Sequence, residues 1–190
     1  MGKILGSPAR VKLMRLFILN RGIVFKRKDI ISRSRVNPNI VSRELKLLAS
    51  AGFIKKRLSS WSLNPGFKYK NEFESLLIGS DTFDRGVISG SFKKVGRVKL
   101  LIISGIFIKN KDSRVDLLIV GDKMKRTRIE EGVKKLEAEI GMELVYAIFE
   151  TKEFVYRLNM YDKLVRDIID FPHEVVFQAK ELSTQSLKKA

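Results

Sequence analysis

The chain has 190 residues, 44% of them hydrophobic and 31% charged, which is an ordinary globular balance that fits one large domain or two small ones and argues against disorder. It carries no cysteine and one histidine, His173, so disulfide frameworks, thiol nucleophiles and cysteine- or histidine-based zinc sites are excluded. No stretch approaches the roughly 18 apolar residues of a membrane span, and the opening MGKILGSPARVK lacks the apolar core of a signal peptide, so a cytoplasmic protein that does not contact a membrane is expected.

Net charge is +17 and is unevenly placed. Residues 1–70 hold 17 Lys plus Arg against two acids, Asp29 and Glu44, a net +15; residues 71–190 are close to neutral at +2. A basic module for a polyanion, joined to a near-neutral module with another task, is the organisation this asymmetry predicts. Nucleic acid is the leading polyanion.

Ser7-Pro8 is an N-cap followed by proline at the first helical position, and Leu13, Leu16 and Phe17 recur with helical spacing as far as Asn20-Arg21-Gly22. After an extended IVF, the stretch RKDIISRSR reads as a short second helix with Ile30 and Ile31 inward. Asn37-Pro38 repeats the cap-then-proline device, and NPNIVSRELKLLASAG predicts a third helix with Val41, Leu45 and Leu48 on one face and Gly52 closing it. The opposite face carries Asn39, Ser42, Arg43 and Lys46, types that reach base edges or phosphates. FIKKRLSSWSL then reads as a hairpin turning around Ser59-Ser60, with Lys55, Lys56 and Arg57 exposed and Trp61 in its core.

The stretch NIVSRELKLLASAGFIKKR resembles the recognition helix and wing entry of winged helix-turn-helix transcriptional regulators of the ArsR and MarR type, over about residues 5–67. The resemblance implies a homodimer on double-stranded DNA, with the third helix in the major groove and the wing on the backbone. Lysine and arginine on a helix most often form a solvated face, but +15 over 70 residues is far more than solubility requires. DNA-contacting residues are therefore expected at Asn39, Ser42, Arg43, Lys46, Lys55, Lys56 and Arg57.

Pro65-Gly66 marks a turn, followed by a helix through Glu72 to Ile78 whose Phe73, Leu76, Leu77 and Ile78 have something to pack on. Beyond it, apolar strands at 98–108, 115–122 and 143–150 flank TRIEEGVKKLEAEIG, a helix read with a Thr127/Glu130 capping box, an inward stripe of Ile129, Val133, Leu136 and Ile140, and Gly141 as its stop. TKEFVYRLNMYDKLVRDIID gives one or two helices with Phe154, Leu158, Tyr161, Leu164 and Ile168 inward. His173 leads a last strand, HEVVF, as a strand-edge or core residue. The fold class expected is α/β and α+β in two domains: a winged helix over 1–68, a connector over 69–90, a small α/β sheet domain over 91–178 and a basic tail over 179–190.

The second half, about Ser91 to Phe177, resembles the minimal nucleotidyltransferase-like domains in its order of strand, Gly/Ser turn, SRVDLLIVGD strand, helix ending in glycine, and strand followed by Thr-x-Glu-Phe. In active members the turn holds a nucleotide triphosphate and an Asp-x-Asp binds two magnesium ions, since residues one apart on a strand share a face. Carried over, the turn falls on Ser104-Gly105 in reversed order, the second acid on Asp116 and the first on Arg114, which cannot bind Mg²⁺. The expectation is a non-catalytic domain without cofactor or metal, Asp116 holding a loop by hydrogen bonds. Arg114 leaves a nucleotide as an open ligand of the vestigial pocket. Glu143 and Glu153 are the alternatives for a third acid. Two competing functions are an active nucleotidyltransferase of antitoxin type modifying a partner, and a scaffold for structured RNA.

Overall fold

Ser7 and Pro8 begin the first helix as their chemistry dictates: the Ser7 hydroxyl accepts from the Arg10 amide at 3.0 Å, and α1 runs Pro8–Leu19 with Leu13, Leu16 and Phe17 buried. In this computed structural model, residues 2, 5–78 and 85–182 are described, and they form an α+β protein with eight helices and two sheets. The chain divides into two compact units, Met1–Thr82 with Lys134–Glu143, and Phe83–Val133 with Leu144–Ala190. Of the expected connector and tail, residues 79–84 and 183–190 lie outside the described residues.

In the first unit the extended IVF contributes β1 (Phe25–Lys26), and α2 (Arg27–Ser34) follows with Asp29 accepting from the Lys26 amide at 3.0 Å. Arg35 stops α2 in the left-handed region at φ 53°. Asn37 accepts from the Asn39 amide at 2.9 Å and starts α3 (Pro38–Ser50), whose Val41, Leu45 and Leu48 are buried. Strands β2 (Ile54–Arg57) and β3 (Ser60–Leu63) pair antiparallel, and β1 joins the far side of β3. Arg57 opposes Ser60, so the hairpin turns on Leu58-Ser59, one residue earlier than expected, with Leu58 at φ 55°. Helix α4 (Lys70–Leu77) packs through Phe73, whose ring lies 6.0 Å from Phe53 and 5.6 Å from Phe67. Of its expected apolar set, Leu76 is exposed.

The second unit starts with α5 (Arg85–Ser91) and centres on a four-stranded sheet in the order β6-β5-β4-β7. Strands β4 (Arg97–Ile103) and β5 (Leu117–Asp122) are antiparallel; β6 (Tyr146–Glu150) runs parallel to β5, and β7 (Glu174–Gln178) antiparallel to β4. The strand expected over 98–108 stops at Ile103, because Gly105 takes a positive φ and Gly105–Ile108 close into a 3₁₀ turn. Helices α7 (Thr151–Asn159) and α8 (Lys163–Asp170) place Phe154, Leu158, Val165 and Ile168 against Leu118 and Val120 of β5 and Leu100 and Ile102 of β4. Tyr161, expected inward, is 65% exposed: Asp162 caps α8, accepting from the Leu164 and Val165 amides, and the break before it turns Tyr161 to φ 55°.

Helix α6 (Arg126–Ile140) buries Ile129, Val133, Leu136 and Ile140. The expected Thr127/Glu130 capping box does not form, since the helix already begins at Arg126 and Glu130 pairs with Arg126 at 3.1 Å. From Lys134 onward the helix belongs to the first unit. There, Arg15 donates to the Glu139 carbonyl at 2.9 Å, Lys12 meets the Glu139 carboxylate at 2.6 Å, and Asn20 donates to the Gly141 carbonyl at 2.7 Å. Gly141 has φ 95°, and a Cβ there would stand 2.6 Å from the Leu16 amide nitrogen, so both backbone sign and close approach require glycine. Among the described residues no helix is long and apolar enough to cross a membrane.

Candidate functional site

Two places concentrate the chemistry: the exposed face of α3 with the neighbouring hairpin, and the junction of β4 and β5. On α3, Asn39, Arg43 and Lys46 are exposed, opposite the buried Val41, Leu45 and Leu48. Arg43 reaches outward with a 71% exposed side chain, touching the Glu44 carboxylate only at 3.5 Å. Lys46 has no ion-pair partner among the described residues.

Ser42 is differently placed from its neighbours. Its hydroxyl donates to the Pro38 carbonyl at 3.0 Å and accepts from Arg27 Nε at 3.1 Å, while Arg27 Nη2 donates to the same carbonyl at 3.0 Å. Both hydrogen-bonding roles of the hydroxyl are therefore taken within the protein. The same contacts bring Arg27, a residue of α2, to the first turn of α3, where it adds a cation to the face. Sequence reasoning assigned Arg27 to the second helix alone, and its link to Ser42 has no signal in the sequence.

Glu44, buried to 1% exposure on a strongly basic helix, fixes α3 to the start of α1. It accepts from Arg10 Nε at 2.8 Å and from the Ser7 hydroxyl at 3.4 Å. Burial works to raise its pKa, but the Arg10 hydrogen bond and charge, with Arg43 adding to them, outweigh burial and leave the carboxyl below its ordinary value. The one acid of α3 is thus turned inward, and the exposed side of the helix carries no negative charge.

On the hairpin, Lys55, Lys56 and Arg57 are all exposed. The Lys56 ammonium lies 5.7 Å from the centroid of the half-buried Trp61 ring, so Trp61 supports the basic strand from its pair position opposite Lys56. Lys55 and Arg57 have no ion-pair partner among the described residues. At the tip, Leu58 is 91% exposed.

In the second unit, Ser104, Gly105, Arg114 and Asp116 come together at the end of β4. Ser104 is buried, its hydroxyl donating to the Val115 carbonyl and its amide to the Asp116 carbonyl at 2.9 Å. Both carboxylate oxygens of Asp116 are occupied by backbone: Oδ1 accepts from the Ile106 amide at 2.9 Å and Oδ2 from the Val145 amide at 2.9 Å. Gly105, at φ 56°, lets the 3₁₀ turn pass directly over this carboxylate; a Cβ there would lie 2.0 Å from Oδ1. Arg114 bonds Asp167 of α8.

These residues do not fit the paired magnesium site that the nucleotidyltransferase resemblance implies. The position of the first acid is a guanidinium paired with Asp167, and the second acid accepts two amide protons. Asp112 is exposed in the preceding loop, Glu143 pairs with Arg33 at 2.8 Å, and Glu153 with Arg157 at 2.9 Å. Among the described residues no group of three or more Asp, Glu, His or Cys is arranged to hold a metal. His173 lies with Nδ1 2.9 Å from the Phe171 carbonyl, a local contact at the start of β7.

Asp122, the last residue of β5, ties three elements together. It pairs with Lys99 at 3.0 Å and accepts from the Thr151 amide at 3.3 Å, and Lys99 also meets Glu181 at 2.6 Å. Hydrogen bonding from Thr151 first, and then from Lys99, holds the Asp122 carboxyl below its usual value. This cluster ties β4, β5 and α7.

Comparisons with protein-family models, with curated proteins and with solved structures returned no match to this chain.

Proposed function

We propose that this chain is a DNA-binding transcriptional regulator in which residues 1–68 act as a winged helix and residues 91–178 form a non-catalytic nucleotidyltransferase-like domain serving dimerisation or sensing. The observation that carries the reading is the exposed face of α3. It presents Asn39, Arg43 and Lys46, joined by Arg27, without an exposed acid, and the Lys55–Arg57 strand follows on the same unit. Asparagine and arginine suit bidentate contacts to base edges, while the hairpin cations suit phosphates. Ser42 acts in this reading by positioning Arg27 rather than by touching DNA. A homodimer would present two such helices to two half-sites.

The Asp116 geometry supports the non-catalytic half of the reading, because each carboxylate oxygen holds a backbone amide, Ile106 on one and Val145 on the other, which is a fold-building role.

Binding of the full chain to duplex DNA, followed against salt, tests the proposal. Affinity should fall steeply with salt, and replacing Arg43 and Lys46 by glutamine should weaken binding and make the log–log salt slope shallower by about one for each phosphate no longer neutralised. Binding that ignores salt, or that both substitutions leave unchanged, refutes the interface. Tighter binding to RNA hairpins than to duplex DNA at equal salt assigns the basic third to RNA instead. Transfer of labelled nucleotide to a partner, abolished in Asp116→Ala, would restore the enzyme alternative.

A further inference from the structure

The second unit contains a cavity of about 360 Å³ that neither the carboxylate junction nor the basic interface uses. Its apolar part is formed by Phe92, Val98, Leu101 and Phe177. Phe92 and Leu101 are buried, and Phe177 of β7 is 45% exposed. At the level of the cavity the β4–β7 register jumps from Leu101↔Phe177 to Ile102↔Val175, a bulge in β7.

Its polar part is cationic. Lys93 and Arg97 line the cavity, both exposed, and no Asp or Glu lines it with them. Asp122 stands opposite Arg97 in the β4–β5 register and would be its natural partner, but that carboxylate is given to Lys99 and Thr151. Arg97 and Lys93 therefore have no ion-pair partner among the described residues. An apolar lining with two cations that are unpaired among the described residues is complementary to an apolar body ending in an anion. At the ~30 Å³ that a water occupies in the liquid, the volume holds roughly a dozen non-hydrogen atoms.

We propose that this cavity binds a small apolar carboxylic acid, medium-chain or aromatic, with its body on Phe92, Leu101 and Phe177 and its carboxylate between Lys93 and Arg97. The site is independent of the DNA-binding reading, and each stands if the other fails.

Calorimetry on the full chain at low salt tests it, with octanoate and naphthoate as ligands and octanol as the uncharged control. The acids should bind about tenfold more tightly than octanol. Lys93→Gln with Arg97→Gln, both on the surface, should remove that advantage and leave octanol binding unchanged, while Phe177→Ser should weaken acid and alcohol alike. Equal affinity for octanoate and octanol, no heat with either acid at millimolar concentration, or acid binding undiminished in the double variant overturns the proposal. Sedimentation showing a dimer that Phe177→Ser dissociates would assign the face to a second copy of the chain and overturn it equally.

Discussion

Gly105→Ala and Asp116→Asn probe the same contact from its two sides, and the structure ranks their effects. Alanine at position 105 must hold φ near 56°, which costs about 1–2 kcal/mol for an L-residue. Its Cβ would also stand 2.0 Å from Asp116 Oδ1, so the carboxylate must move and the Ile106 amide loses its acceptor, adding roughly 1–2 kcal/mol. A total near 2–4 kcal/mol is expected. Asp116→Asn keeps the volume but offers one acceptor where two amides need one each; the Val145 contact is solvent-exposed, so about 1 kcal/mol is expected. Urea unfolding followed by far-UV circular dichroism gives the ranking, and amide exchange locates it: Ile106 should lose protection in Gly105→Ala, and one of Ile106 and Val145 in Asp116→Asn. Gly105→Ala within about 0.5 kcal/mol of the native chain would refute the close approach between the turn and the carboxylate.

The remaining predictions concern the first unit. Glu44→Gln removes the charge that holds Arg10 and should cost roughly 1–3 kcal/mol, read by thermal unfolding. Because the folded pKa of Glu44 lies below its ordinary 4.5, its contribution is complete above that value and is lost as pH falls through the folded pKa; the native chain should lose stability there more steeply than Glu44→Gln. Arg15 is buried and donates to the Leu77 and Glu139 carbonyls at 2.9 Å, so Arg15→Met should cost about 2–4 kcal/mol by leaving both acceptors unmet, and an unchanged melting temperature would exclude that role. Asn37→Ala deletes the cap of α3 and should cost about 1 kcal/mol in urea titration.

What the sequence made legible was whatever depends on neighbours along the chain. Ser7-Pro8 and Asn37-Pro38 are caps whose chemistry is complete within three residues, and both helices start where those signals stand. The inward stripe of α6 followed from spacing alone. Errors arose where a competing local signal or a distant partner decides. Thr127 had the spacing of a capping box but not the helix start, and Tyr161 had helical spacing but falls at the break that Asp162 creates. Gly105 stands inside the apolar run 98–108 but also at the expected Ser104-Gly105 turn, and the chain takes the turn; what the sequence does not show is the Asp116 carboxylate beside it, which arrives only after β5 has folded back on β4. Arg27 could not be placed beside Ser42 for the same reason: fifteen residues and a turn separate them.

The distribution of charge connects these observations. In the second unit most acids are spent locally: Asp167 on Arg114, Asp122 and Glu181 on Lys99, Glu153 and Asp162 on Arg157, Asp170 on Arg166. In residues 5–70 of the first unit only two acids exist, Glu44 committed to Arg10 and Asp29 to the start of α2. The difference decides where an incoming phosphate gains free energy. At Arg114 it must displace Asp167, exchanging one charge-assisted bond for another with little net gain. Lys46, Lys55 and Arg57 have no ion-pair partner among the described residues for it to displace, and the release of counterions is what drives binding to a polyanion. Arg114 is thus the weaker of the two places for a phosphate, which is the order the proposed reading requires.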